Sequence, residues 1–414
     1  MTSRIEQWLK WIHQYSLLLI AFFLSAHTRF TGVFVIIALI SWLIVNRFRF
    51  SFSDRTRLAT FLGFTALYLC YSLGMLYTSD QSFGWQLMQL RSSMVLLPLM
   101  FLCDSGIEIP PLRQILKWFV AGGITLSLII LGHAAFILIA QHQNIFTFGN
   151  LTDFLKINRV YISLYFVMMI LALANKMLQD ELKRSDRIYH GILILVFVMM
   201  VILLSEREEV IALVTATVAM FMMHFISRKK TLTGIAWAAM MSCFLISVIM
   251  LFPDTQQRFL DVKKEWNQAY SDQHPTSVTI RKAVWEISGG LISKYPLSGV
   301  GTGDVEDSLL HHYQLEKLVW PYNDRLNAHN QFLQTTVALG VFGSLALLLL
   351  FITGFRIAII SRNELYFLFL LIFIISNLTE SMFETEAGVV FFSFFNSVMA
   401  AECLKRKEGR CAEN

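Results

Sequence analysis

One histidine and three arginines stand where ionisable side chains meet long apolar runs, a costly place for charge. His329 lies in Asn327-Ala328-His329-Asn330-Gln331, directly before such a run. An imidazole, with an ordinary pKa of about 6.5, suits proton abstraction near neutral pH. The same segment also reads as a helix cap through Asn327 or Asn330. Arg207 sits in Ser205-Glu206-Arg207-Glu208-Glu209, one guanidinium among three carboxylates. Its planar fork matches phosphate oxygens; the competing reading is an interfacial anchor neutralised by its neighbours. Arg281, in Arg281-Lys282-Ala283-Val284-Trp285, is expected in the first turn of a helix, where the dipole mildly opposes a cation. That placement suggests a role beyond helix stability. Arg159, in Asn158-Arg159-Val160-Tyr161, tops another apolar run, and snorkelling explains it equally well. Within Thr379-Glu380-Ser381, Glu380 fits either binding of an acceptor hydroxyl or orientation of a base, against a plain solvated turn.

Other motifs carry less. Gly299-Val300-Gly301-Thr302-Gly303 lacks the third glycine of GxGxxG and has no strand–turn–helix around it, so it reads as a flexible turn. His311 and His312 are adjacent and point to different helix faces, a poor metal pair. No CxxC or HExxH spacing occurs, and no metal or cofactor is expected. Cys70, Cys103 and Cys243 lie in or at the ends of apolar runs, with Cys403 and Cys411 near the C-terminus, which leaves no disulfide framework.

These residues need a membrane to position them. Of the 414 residues, 56% are hydrophobic and 15% charged, with mean hydropathy +0.57. Soluble domains carry about 25% charged residues. Disorder, collagen and a disulfide-stapled scaffold are excluded as well. The expectation is an all-α polytopic membrane protein of about 12 transmembrane helices with one long helical loop on the outer side. Spans are expected near 11–28, 30–46, 58–77, 87–103, 115–140 and 158–175, then 188–204, 209–226, 231–252, 331–354, 364–378 and 387–404. The span over 87–103 is the weakest, because it contains Pro98 and begins near Arg91; a re-entrant or broken helix is its alternative. Trp11–Ser25 reads as a retained first helix, not a cleavable signal, since the next run follows almost at once.

Counting Lys and Arg on alternating segments puts 21 of the 34 on the side of both termini and 13 on the other. The positive-inside rule then makes both termini cytoplasmic. The expected domains are 1–252 with nine spans, 253–329 as a long outer loop (periplasmic if the resemblance given below holds), and 330–414 with the last three spans and a cytoplasmic tail. Within the loop, Asp254–Tyr270, a helix capped by Thr279, and Asp304–Leu318 have helical pattern.

Several segments, in this order, resemble the O-antigen ligase family, whose C-terminal module is shared with O-antigen polymerases and protein O-oligosaccharyltransferases. They are Arg159-Val160-Tyr161-Ile162-Ser163-Leu164-Tyr165, Leu204-Ser205-Glu206-Arg207, Arg281-Lys282-Ala283-Val284-Trp285, and Tyr295-Pro296-Leu297-Ser298 running into the glycine-rich stretch. His329-Asn330-Gln331-Phe332-Leu333-Gln334, Leu339-Gly340-Val341-Phe342-Gly343 and Leu378-Thr379-Glu380-Ser381 complete the series. The resemblance implies a multi-pass protein of the bacterial inner membrane with its active site on the periplasmic face. It implies glycan transfer from undecaprenyl diphosphate to a lipid A–core sugar hydroxyl, without metal or nucleotide. The partners would be the lipid-linked donor, that acceptor and the bilayer, with no nucleic acid. The family's essential histidine falls on His329 and its diphosphate-binding arginines on Arg207 and Arg281, with Arg159 as a further candidate. Glu380, Ser381 and Gln331 would serve the acceptor or support the base. The chain departs from the family's serine–arginine motif by the intervening Glu206. A transporter or flippase is the reading from another class, but charges gather at one face instead of mid-membrane and no repeat is evident.

Overall fold

Backbone buried in lipid must satisfy its hydrogen bonds internally, and nearly unbroken Leu, Ile, Phe and Met leaves the helix as the way to do so. The computed structural model describes residues 3–146, 148–179, 182–251 and 253–412. Among these residues every regular element is helical. The first ten helices are α1 (Ser3–Ala26), α2 (Thr31–Val45), α3 (Arg55–Gly74), α4 (Gln81–Arg91), α5 (Ser93–Leu102), α6 (Leu112–Gln141), α7 (Arg159–Gln179), α8 (Arg184–Leu204), α9 (Arg207–Ser227) and α10 (Thr231–Met250). Four helices of the loop follow: α11 (Pro253–Trp266), α12 (Ser277–Lys294), α13 (Val305–Leu315) and α14 (Val319–Asn323). The chain ends with α15 (Gln331–Ile360), α16 (Glu364–Asn377) and α17 (Glu386–Ala412).

Each expected span falls on helix, but among the described residues nine helices are long and apolar enough to cross a membrane: α1, α2, α6 to α10, α15 and α17. The other expected spans are α3, the α4–α5 pair and α16, an apolar helix of 14 residues. The continuous helix expected over 87–103 is broken. Ser92 ends α4 through a tight bond to the Gln89 carbonyl, and α5 starts at the next residue. Three expectations in the loop also change. The α12 cap is Thr276, not Thr279; Thr279 closes a reciprocal capping box from the third helical position. Arg281 is therefore the fifth residue of α12, beyond the first turn. The helix expected over Asp304–Leu318 stops at Leu315, and α14 follows separately. Phe252, the expected end of the ninth span, and the side chains of Arg406, Lys407, Arg410 and Cys411 lie outside the described residues.

Helices α7 and α17 are the most enclosed of the nine, and α10 is the most peripheral. Around them an aromatic core forms, with Phe373 and Phe392 ring centroids 4.5 Å apart and Phe119 and Phe395 4.8 Å apart. Tyr165 ties α7 to α17 by donating to the Ala387 carbonyl at 2.9 Å. This rigid centre presents the N-termini of α7, α9, α15 and α17 and the C-termini of α8 and α16 at one end.

The glycine-rich stretch is a clamp, not a flexible turn. Helix α15 is interrupted at Gly340, whose φ of 60° and ψ of −152° leave the helical region. The Val337 and Ala338 carbonyls accept instead from Val300 and Gly301 N–H, both at 2.9 Å, and Val341 N–H donates to the Pro296 carbonyl at 2.9 Å. The segment thus satisfies backbone groups that the kink would otherwise orphan. Its Gly299 has φ +68°, and a Cβ there would sit 2.4 Å from the Ala338 backbone. Asp304 extends the clamp to the α3–α4 turn, accepting from Ser79 and Asp80 N–H at 2.7 Å each.

Candidate functional site

His329 occupies the turn into α15 with φ 43°, a left-handed backbone that non-glycine residues adopt at some cost. The turn is held at several points. Asn330 caps α15 by accepting from Leu333 N–H at 3.1 Å and donates to the Leu378 carbonyl at 2.9 Å. Asn327 Oδ1 accepts from His329 N–H at 2.8 Å, and Gln334 Oε1 accepts from Ala328 N–H at 2.9 Å. The cap and the candidate base are therefore neighbouring residues with separate jobs. Opposite the ring, Glu380 Oε2 lies 3.2 Å from His329 Nδ1. A carboxylate there accepts Nδ1–H, which puts the ring's lone pair on Nε2, the arrangement of an oriented general base. Nε2 has no hydrogen-bond partner among the described residues.

Glu380 is buried. Burial pulls its carboxyl upward, yet the hydrogen bond from His329, the charge that ring carries when protonated and the charge of Arg281 more than offset this and hold it below the ordinary carboxylate value. Its loop is pinned from beneath. Gln331 is fully buried, accepts from Phe383 N–H at 2.7 Å and donates to Thr335 at 3.0 Å. Ser381, also fully buried, accepts from Asn330 N–H at 3.3 Å. Both residues thus brace the Glu380 loop and do not face solvent.

The arginines gather on the adjoining side, each beside a carboxylate. Arg159, the first residue of α7, has Nε 3.1 Å from Glu206. Arg281 on α12 lies 2.5 Å from Glu208. Arg207 opens α9, donating to the Arg258 carbonyl at 2.9 Å and to Ser277 at 2.7 Å. It therefore ties α9 to α11 and α12. Ser205, at φ 54°, makes the sharp α8–α9 turn that aligns these groups. Burial is the main influence on Glu206 and pushes its carboxyl up, with Arg159 pulling the other way. Glu209, where the expected span over 209–226 begins, is fully buried, with one oxygen accepting from Ser376 at 2.6 Å.

Two arginines join the site without a motif. Arg258 on α11 donates to the Ser205 carbonyl, and burial pulls its guanidinium below its ordinary value. Arg91, at 1% exposure, pairs with Glu384 and stacks over Tyr71 with 4.0 Å to the ring centroid. A cavity of about 290 Å³ opens beside this pair and borders Asn327, Gln334, Glu306 and Arg325. Among the described residues, no three His, Cys, Asp or Glu side chains converge to hold a metal ion. His311 and His312 sit on α13, with ring planes at 90° to each other.

Such a site can take a proton at His329 and hold an anion beside it. Residues 192–348 match a protein-family model described as O-Antigen ligase. That stretch contains Arg207, Arg258, Arg281 and His329, while Arg159 and Glu380 fall outside it. The comparison with curated proteins returns no match.

Proposed function

We propose, from the match of residues 192–348 to the O-antigen ligase family model, that this chain is a member of that family and transfers a glycan from undecaprenyl diphosphate to a sugar hydroxyl of lipid A–core. The observation that carries the reading is the His329–Glu380 pair at 3.2 Å with Arg281 close enough to influence the same carboxylate. His329 Nε2 takes the proton of the attacking hydroxyl. The oxygen then bonds to the anomeric carbon as the bond to the diphosphate breaks, leaving the electron pair and negative charge on the diphosphate. Arg281 and Arg159, with Arg207 and Arg258 behind them, meet that charge. Each guanidinium is already held by Glu206, Glu208 or backbone, so the ligand exchanges one set of oxygens for another instead of ordering free side chains. The displacement inverts the anomeric configuration and routes no step through a metal.

The acceptor approaches through the cavity beside Asn327 and Glu384. In the proposed topology the twelve expected spans leave 253–329 and the site in the periplasm and both termini in the cytoplasm. The test of the acceptor is to delete the gene and examine surface polysaccharide. Lipid A–core lacking O-chains, with lipid-linked polymer accumulating, supports the ligase. Decoration by a single repeat points to a polymerase, and loss of glycoprotein with normal polysaccharide points to a protein transferase; either result overturns the acceptor assigned here.

A further inference from the structure

A second cleft opens at the far end of α7. Lys176 stands 17 residues along the helix from Arg159, about 25 Å at 1.5 Å per residue, so this cleft is remote from His329. It lies between α6, α7 and α8 and encloses about 610 Å³. All three helices line it with the same gradient. On α6, Arg113 and Lys117 stand one turn apart at the mouth, and Leu116, Val120 and Ile124 continue inward. On α7, Lys176 gives way to Leu173, and on α8, His190 gives way to Leu193.

The mouth is built, not merely charged. His190 is buried, and its Nδ1 lies 2.6 Å from the Asp186 carbonyl. That geometry fits Nδ1–H donating to the carbonyl and Nε2 accepting from the Lys176 ammonium 3.2 Å away. Lys176 is thus held at the rim. The lining carries Arg113, Lys117 and Lys176 and one carboxylate, Glu402, and Gln179 at the edge donates to Glu364 at 3.1 Å. By the distribution of basic residues this is the cytoplasmic end.

We propose that this cleft binds one anionic phospholipid, with its phosphate among Arg113, Lys117 and Lys176 and an acyl chain along Leu116, Val120 and Ile124. A cation-lined mouth selects a negative headgroup over a zwitterionic one. The apolar wall runs about 16 Å along α6 from Arg113 to Ile124, a depth that suits a lipid tail and has no use for a free phosphate.

The test is native mass spectrometry of the delipidated full chain titrated with phosphatidylglycerol, phosphatidylcholine or glycerol phosphate. The wild type should retain one phosphatidylglycerol at least about tenfold more tightly than phosphatidylcholine, and glycerol phosphate should bind weakly. The double variant Arg113→Gln/Lys117→Gln should lose that preference, and so should Lys176→Gln, which keeps α6 intact. A control, Arg228→Gln/Lys229→Gln, should behave as wild type. Equal retention of the two lipids, unchanged selectivity in both cleft variants, or glycerol phosphate binding as tightly as phosphatidylglycerol would overturn the proposal.

Discussion

Glu380 links His329, the proposed base, to Arg281, a proposed diphosphate ligand, because the same buried carboxylate answers to both. His329→Ala should lower glycan transfer by about 10²–10⁴-fold while the protein still accumulates in the membrane. Full activity in that variant would remove His329 from the chemistry. Arg281→Lys keeps a cation near Glu208 but loses the bidentate fork, so transfer should fall by about 10²–10³-fold; undiminished transfer would mean that charge alone suffices. Glu380 also makes a statement about acid stability. Its folded pKa is held down, so its stabilising contribution is complete above the ordinary carboxylate value and is lost as pH falls through the folded value. Thermal unfolding of wild type and Glu380→Gln should therefore differ near neutrality and converge in acid; a gap that widens on acidification contradicts this. His329, Arg281 and Glu380 were legible because each stands in a short polar motif against an apolar run. Arg91 and Arg258 were not. Arg91 meets a carboxylate 293 residues away and Arg258 a carbonyl 53 residues away, and no local pattern signals either partner.

At the scale of elements, the sequence showed where apolar helices run and missed where they break. Ser92 and Gly340 interrupt helices without any run of breakers, and the reason is tertiary. The Gly340 kink survives because residues 296–301 supply its hydrogen bonds, and a single sequence offers no sign of that pairing. This explains why the glycine-rich stretch looked flexible. Gly299→Ala should destabilise the protein by more than about 1 kcal/mol, since the left-handed backbone alone costs about that much and the Ala338 backbone blocks the new methyl. Gly289→Ala is the contrasting case. It lies inside α12 with nothing within 4 Å of a new Cβ, and should gain about 0.5–1 kcal/mol from helix propensity. Unfolding midpoints measured side by side decide the matter, and equal behaviour of the two variants would remove the clamp from the account.

For the whole molecule, the proposed orientation rests on the charge distribution. The small net charge of +5 conceals a basic end, carrying Arg113, Lys117 and Lys176, and a site end where arginines are matched by glutamates. Single cysteines introduced at Gln268 and Lys229 should be labelled by a membrane-impermeant thiol reagent from opposite sides, Gln268 from the periplasm. Labelling of both from one side would refute the topology. The most direct measurement of the central claim uses purified protein with an undecaprenyl diphosphate-linked glycan and a lipid A–core acceptor. One undecaprenyl diphosphate should be released per glycan transferred, the product should have inverted anomeric configuration, and both should be lost in His329→Ala. Retained configuration, or transfer that continues at the wild-type rate without His329, would contradict it.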